Sequence, residues 1–204
     1  MDIHQYRTLA APIEGVILKE KKSKFMGYAF PVSDETEIAE ILTRLKQEHG
    51  KANHICYAWQ LGANQKIWRV NDDGEPKNSA GMPIFGQIQA FELTDILLAV
   101  VRYFGGTKLG VGGLISAYGA TARLTLEEGK IITRTIMTEV FIQFDYEHVH
   151  KVMQLIKRNQ IGIRSEENGL RAGYTLDVPI SRFDKALRQF RNIPGVEVRH
   201  SRSK

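Results

Sequence analysis

The stretch Asp95-Ile96-Leu97-Leu98-Ala99-Val100-Val101-Arg102-Tyr103-Phe104, continued by Gly105-Gly106-Thr107-Lys108-Leu109-Gly110-Val111-Gly112-Gly113, decides how the chain is read. Its first half is an almost unbroken apolar run, far too short to cross a bilayer, and it predicts a central strand covered on both sides. Beyond the glycines, Leu114, Ala117, Tyr118, Thr121 and Leu124 have helical spacing up to Gly129, a residue suited to the position just past a helix end. A strand that runs through glycines into a helix brings exposed backbone N–H groups and the positive end of the helix dipole to one point, which suits an anion. Arg102 and Lys108 add fixed positive charge there. The competing reading is structural: the five glycines serve only a tight turn and close packing. Neither the Gly-Lys-Ser/Thr of a P-loop nor the full dinucleotide fingerprint is present, which argues against a nucleotide-hydrolysing P-loop enzyme.

Outward from this stretch, Ile38, Ile41, Leu42 and Leu45 repeat at helical spacing, as do Val149, Val152, Met153 and Ile156, and Phe183, Ala186, Leu187 and Phe190. Asp34 with Glu37, and Ser181 with Asp184, have capping-box spacing before the first and last of these helices. Ile55, Tyr57 and Trp59 alternate with His54, Cys56 and Ala58 as on a two-faced strand, and Lys24 to Phe30 and Lys66 to Val70 are further expected strands. After Gly129 come a strand through Ile136, Val140, Ile142 and Phe144, a helix, two strands around a turn at Asn168-Gly169, a helix, and a last strand after Pro194-Gly195. That order is β-α-β-β-α-β, a ferredoxin-like arrangement. The expected organisation is a domain over 1–130 and a second over 131–204.

The 204 residues are 43% hydrophobic and 25% charged, values of a folded globular protein rather than of a disordered chain, a collagen or a coiled-coil rod. One cysteine, Cys56, rules out an intramolecular disulfide and any zinc site built on cysteine pairs, and fits a reducing compartment. Met1 to Leu9 carries Asp2, His4 and Arg7 where a signal peptide would be apolar, so the expected location is cytoplasmic, with no membrane partner. Net charge is +5, and its placement is uneven: residues 1–130 hold 15 basic and 15 acidic side chains, residues 131–204 hold 13 and 8. A basic region of this kind can attract phosphate-rich partners through counterion release.

Asn71-Asp72-Asp73-Gly74-Glu75-Pro76, followed by Asn78-Ser79-Ala80-Gly81-Met82-Pro83, puts three carboxylates within four residues. They repel one another unless a cation, a basic side chain or water intervenes, and could hold a hard metal ion, orient a basic neighbour or act as acid and base. They also have the composition of an exposed turn. His54 and Cys56 share a strand face, where core packing is favoured over a metal or thiol role. Tyr57, Trp59 and Trp68 are read as core or rim aromatics. The run Lys19, Lys21, Lys22 and Lys24 is read as a solvated strand entry.

Lys22-Ser23-Lys24-Phe25, His54 with Cys56 to Trp59, Asp72 to Pro76, Ser79-Ala80-Gly81, Val101 to Gly106, Lys108-Leu109-Gly110, Gly112-Gly113-Leu114 and Ala117-Tyr118 together resemble the YigZ/IMPACT family over about residues 15–128. The resemblance implies an α+β chain: an N-terminal α/β sandwich like domain 2 of ribosomal protein S5, then a ferredoxin-like C-terminal domain, a pair similar to the last two domains of elongation factor G. It further implies a link to translation, since eukaryotic relatives interfere, through protein partners, with activation of a kinase that senses amino-acid starvation. Positions carried over as a functional surface are Asp72, Asp73, Gly74, Glu75, Ser79, Arg102, Tyr103, Gly105, Gly106, Lys108, Gly110, Gly112 and Gly113. No catalytic role, metal or cofactor comes with them.

Three functions fit these residues. In the first, the glycine-rich loop and the basic C-terminal domain bind RNA, the ribosome or a translation-related protein. In the second, Asp72, Asp73 and Glu75 hold a divalent ion or act as bases in an enzyme while Lys108, Arg102 and the loop amides bind a phosphorylated small molecule. In the third, the chain is a protein-interaction regulator.

Overall fold

A computed structural model describes residues 4–63 and 66–200 of the chain. The chain folds into two compact units, one over Tyr6–Arg134 and one that takes in His4, Gln5 and residues 135–200. The elements of the first are β1 (Gln5–Leu9), β2 (Ile13–Glu20), β3 (Ser23–Pro31), α1 (Glu35–Glu48), β4 (His54–Leu61), β5 (Ile67–Asn71), α2 (Gly81–Ala90), β6 (Ile96–Tyr103), α3 (Gly110–Glu127) and β7 (Ile131–Thr135). Those of the second are β8 (Met137–Phe144), α4 (Val149–Asn159), β9 (Gly162–Asn168), β10 (Ala172–Pro179), α5 (Phe183–Arg191) and β11 (Glu197–Arg199). None of the described helices is long and apolar enough to cross a membrane.

The first unit is built on a five-stranded sheet in the order β2-β3-β6-β4-β5, with every neighbouring pair antiparallel. β6 sits at its centre, and the pleat explains why its sequence is apolar throughout. Ile96, Leu98 and Val100 join Ile84 and Ile88 of α2 and Leu114, Tyr118 and Ala122 of α3 on one face, whereas Leu97, Ala99 and Val101 join Ile38 and Leu45 of α1 on the other. Two separate cores therefore meet along one strand. α1 starts as its sequence dictates, with Asp34 Oδ1 accepting the Glu37 N–H at 2.9 Å and Glu37 Oε2 accepting the Ser33 N–H at 2.8 Å.

Two elements depart from the sequence reading. Residues 78–83, expected as loop, lead into α2, whose Gly81, Pro83 and Gly86 hide it from a propensity argument; Pro83 stands in the first turn, where its missing N–H is tolerated. Residues 131–135, placed in the C-terminal domain by a boundary at 130, form β7 and pair with β1 near the other end of the chain. A shift in charge composition marks where charge changes, not where a strand finds its partner.

The second unit is a four-stranded sheet in the order β11-β8-β10-β9, all antiparallel, so the strands lie fourth, first, third, second in chain order. Val140, Ile142, Phe144, Tyr174, Leu176 and Val178 meet Val152 and Ile156 of α4 and Ala186, Leu187 and Phe190 of α5 in one core. Asn159, buried, ties the two helices by donating to Gln189 Oε1 at 2.8 Å. Ser181 is not the cap: a single 3₁₀ turn over Ile180–Arg182 precedes α5, and among the described residues no side chain caps either.

Candidate functional site

The three carboxylates of the acidic loop diverge. Asp73 and Gly74 are both left-handed, with φ of 43° and 87°, and Glu75 N–H closes the turn onto the Asp72 carbonyl at 2.9 Å, the pattern of a type I′ Asp-Gly turn. Asp72 turns toward α2, where Oδ1 accepts the Ala80 and Gly81 N–H groups at 3.0 and 2.8 Å and Oδ2 accepts that of Asn78 at 2.8 Å. It supplies the cap that Ala80, in the N-cap position, lacks. Asp73 turns toward β4, accepting the Ile55 N–H at 2.7 Å, while its carbonyl accepts from His54 Nδ1 at 2.7 Å. A carbonyl can only accept, so Nδ1 carries the proton and Nε2 faces away from that bond. Glu75 turns inward to Arg102. Each acid thus serves a different element, and among the described residues no group of three His, Cys, Asp or Glu side chains is placed to hold a metal ion.

Arg102 is the last residue of β6 on the α2/α3 face. Its Nη1 donates to Glu75 Oε1 at 2.5 Å, with the two side chains only 7% and 4% exposed. Tyr118 of α3 donates its hydroxyl to the same carboxylate oxygen at 2.7 Å. The guanidinium lies 5.5 Å from the ring centroids of both Phe25 and Phe104. Arg102 Nε, also buried, has no acceptor among the described residues. Behind Tyr118, Cys56 Sγ is 3.3 Å from its hydroxyl and 3.0 Å from the Asp72 carbonyl. Burial pushes the Cys56 thiol up to about 12 and also raises the Tyr118 hydroxyl. A thiol so placed is protonated at neutral pH and is no nucleophile. Its protonated form is the one the fold favours, so that contribution is complete below the ordinary thiol range and is lost as pH climbs from there toward about 12.

Above this network lies a cavity of about 400 Å³, lined by His54 and Glu75 from one side, Arg102 from its floor, and Phe104, Lys108 and Gly110 from the glycine-rich loop. The loop is glycine-rich for several distinct reasons. A Cβ on Gly105 would stand 2.0 Å from the Lys22 carbonyl, so the loop packs directly on the turn between β2 and β3, and Gly105 N–H donates to Ser23 Oγ at 3.2 Å. Gly106 and Gly110 have φ of 83° and 76°, the second as α3 begins. Among the described residues no side chain caps α3, whose N-terminus opens at Gly110 beside the cavity.

The expected site residues therefore part company. Arg102, Lys108, Gly110 and Glu75 come together around the cavity. Tyr103 does not, because alternation sends it to the α1 face, where its hydroxyl bonds His49 Nδ1 at 2.8 Å. Ser79 is buried and donates to the Pro76 carbonyl at 2.6 Å, and Asp72 and Asp73 are spent on backbone N–H groups. Gly112 and Gly113 belong to the first turns of α3 and do not line the cavity. His54, which the sequence favoured as core, does line it, as do Phe104 and Leu114. Only Leu114 had a signal in the sequence, its i, i+4 spacing to Tyr118 on α3.

The second unit separates its charge by layer. α4 and α5 carry Lys151, Lys157, Arg158, Lys185, Arg188 and Arg191 against one carboxylate, Asp184, and these six cations are exposed. The four strands carry Glu139, Glu166, Glu167, Asp177 and Glu197 against Arg164 and Arg199. Arg164 pairs with Glu139 at 2.5 Å and Asp177 at 2.6 Å, and Arg171, beside the sheet, pairs with Asp145 at 2.9 Å and Glu197 at 2.5 Å. The basic excess of the C-terminal residues thus resides on the helices.

The model of the Impact N-terminal domain matches residues 21–126, which span β3 through α3 and so the whole cavity. The chain is 36% identical over 158 residues to IMPACT family member YvyE of Bacillus subtilis strain 168, covering 78% of this chain and 72% of that one. It is 34% identical over 186 residues to an IMPACT family member of Haemophilus influenzae, covering 88% and 87%. A crystal structure described as that of a hypothetical protein superposes with a TM-score of 0.78 at 24% identity, over 98% of this chain and 99% of the other, and shows the fold alone. The matched residues include the glycine-rich loop, Arg102 and the acidic turn, and the chain belongs to the IMPACT family.

Proposed function

We propose that the chain is a translation-associated regulator that binds RNA, free or on the ribosome, chiefly through the α4/α5 layer, with the glycine-rich cleft as a separate anion site. The observation that carries this reading is the charge separation in the second unit: six exposed Lys and Arg side chains with one carboxylate on the helices, over an acidic sheet. Paired arginines have little left to offer a phosphate, whereas the helix cations have no such partner among the ion pairs formed by the described residues. Membership of the IMPACT family supports the link to translation. In this reading the first unit is an S5 domain 2-like sandwich and the second a ferredoxin-like domain, for which the fourth-first-third-second strand order with both helices in one core speaks. The two are separate domains joined near residues 130–135.

The test is recovery of the tagged full chain from cell lysate with and without nuclease. RNA that accompanies the chain and leaves on nuclease treatment is the expected result. Partners retained equally after nuclease treatment would favour the protein-interaction regulator instead.

A further inference from the structure

The cavity over Arg102 has the volume of a small-molecule site. At about 400 Å³ it lies in the range of ligand pockets, roughly 300–1,000 Å³, and holds one nucleotide rather than the several that a single-strand groove contacts. Its chemistry is two-sided. Lys108 and the uncapped start of α3 at Gly110 attract negative charge, and Arg102, nine-tenths buried, keeps Nε without an acceptor. Because Glu75 already matches the one charge of Arg102, and Arg102 Nε is buried, a ligand meets Lys108, the helix dipole and the N–H groups of the first turn of α3, not a naked guanidinium. The lining is also apolar in part, with Phe104 44% exposed and Leu109 and Val111 among the lining residues. An exposed phenylalanine stacked on an arginine is a surface on which a flat ring can lie.

We propose that this cavity binds a terminal phosphate monoester carried on a planar body: the phosphate at Lys108 and the start of α3, the ring against Phe104. A free nucleoside monophosphate and the 5′ end of an RNA present that same chemistry. The proposal rests on the cleft being an anion site but not on RNA binding by the α4/α5 layer.

Thermal unfolding of the full chain tests it with five probes: adenosine 5′-monophosphate, adenosine, inorganic phosphate, and one RNA oligonucleotide with a 5′-phosphate or a 5′-hydroxyl. At a hundredfold excess over Kd the monophosphate is expected to raise the melting temperature by roughly 5–10 °C. Adenosine is expected to give no shift, and phosphate alone a smaller one. Lys108→Ala, at an exposed position, is expected to weaken the monophosphate about tenfold or more, as loss of a charge-assisted contact should. Lys24→Ala, away from the cavity, is expected to leave the affinity unchanged. Tighter binding of the 5′-phosphorylated oligonucleotide than of both the free monophosphate and the 5′-hydroxyl oligonucleotide identifies an RNA end as the source; tighter binding of the free monophosphate identifies a small molecule. Equal shifts from adenosine and its monophosphate, equal losses from Lys108→Ala and Lys24→Ala, or no shift from any phosphate would overturn the assignment. No RNA binding by the helix layer, with the monophosphate shift intact, would instead overturn only the RNA reading.

Discussion

Arg102→Met is expected to destabilise the first unit by about 3–5 kcal/mol, a drop of roughly 10 °C or more in its melting temperature. The substitution leaves Glu75, with a side chain 4% exposed, facing an apolar stem with only the Tyr118 hydroxyl to hold its charge. The double variant Arg102→Met/Glu75→Gln is expected to recover most of the loss, because the penalty comes from the orphaned carboxylate more than from the missing attraction. Calorimetry of the wild type, both single variants and the double variant measures it. Additive losses would show that the pair is not coupled.

Gly105→Ala is the second large effect. The added Cβ would lie 2.0 Å from the Lys22 carbonyl carbon and oxygen and 2.5 Å from the Ser23 nitrogen, all of them backbone atoms that no rotamer can move aside. The loop must retreat, which gives up the bond from its N–H to Ser23, so a loss of about 3 kcal/mol or more is expected, at or beyond the upper end of overpacking costs. Gly106→Ala is the useful comparison: its φ of 83° is strained for alanine, but an added Cβ meets no neighbour within 4 Å among the described residues, and a loss of about 1–2 kcal/mol is expected. Equal melting temperatures for the two variants would contradict the packing of the loop on the β2–β3 turn.

The parts of this fold that depend on local pattern were legible in the sequence. β6 read as a strand covered on both faces because no position along it is polar until Arg102, and α1 announced itself through Asp34 and Glu37. The order of elements in the second unit followed from period and turn residues in the same way. What escaped was every feature decided by a distant partner. α2 has glycines and a proline where a helix former is expected, and it stands because Asp72 caps it from outside the helix. β7 pairs with a strand more than a hundred residues away. The same limit split the candidate site. Proximity in sequence grouped Asp72, Asp73 and Glu75, yet one turn sends the three to α2, β4 and Arg102. Tyr103, adjacent to Arg102, faces the opposite core. The charge excess was legible as a number but not as a layer, since strand and helix residues alternate along the chain.

RNA binding by the helix layer is expected to show in a salt titration of full-chain affinity for a fluorescent single-stranded RNA. Each phosphate neutralised contributes roughly 0.7 to the log-log slope on a single strand. Lys151→Gln/Arg158→Gln, two exposed α4 positions bordering α5, is expected to flatten that slope by about 1.4 and weaken binding on every sequence alike, since phosphate contacts read no base edge. Arg199→Gln, on the acidic sheet beside Glu197, is expected to leave the slope unchanged. A wild-type slope near zero, or a slope that falls with Arg199→Gln and not with the helix pair, would contradict the account.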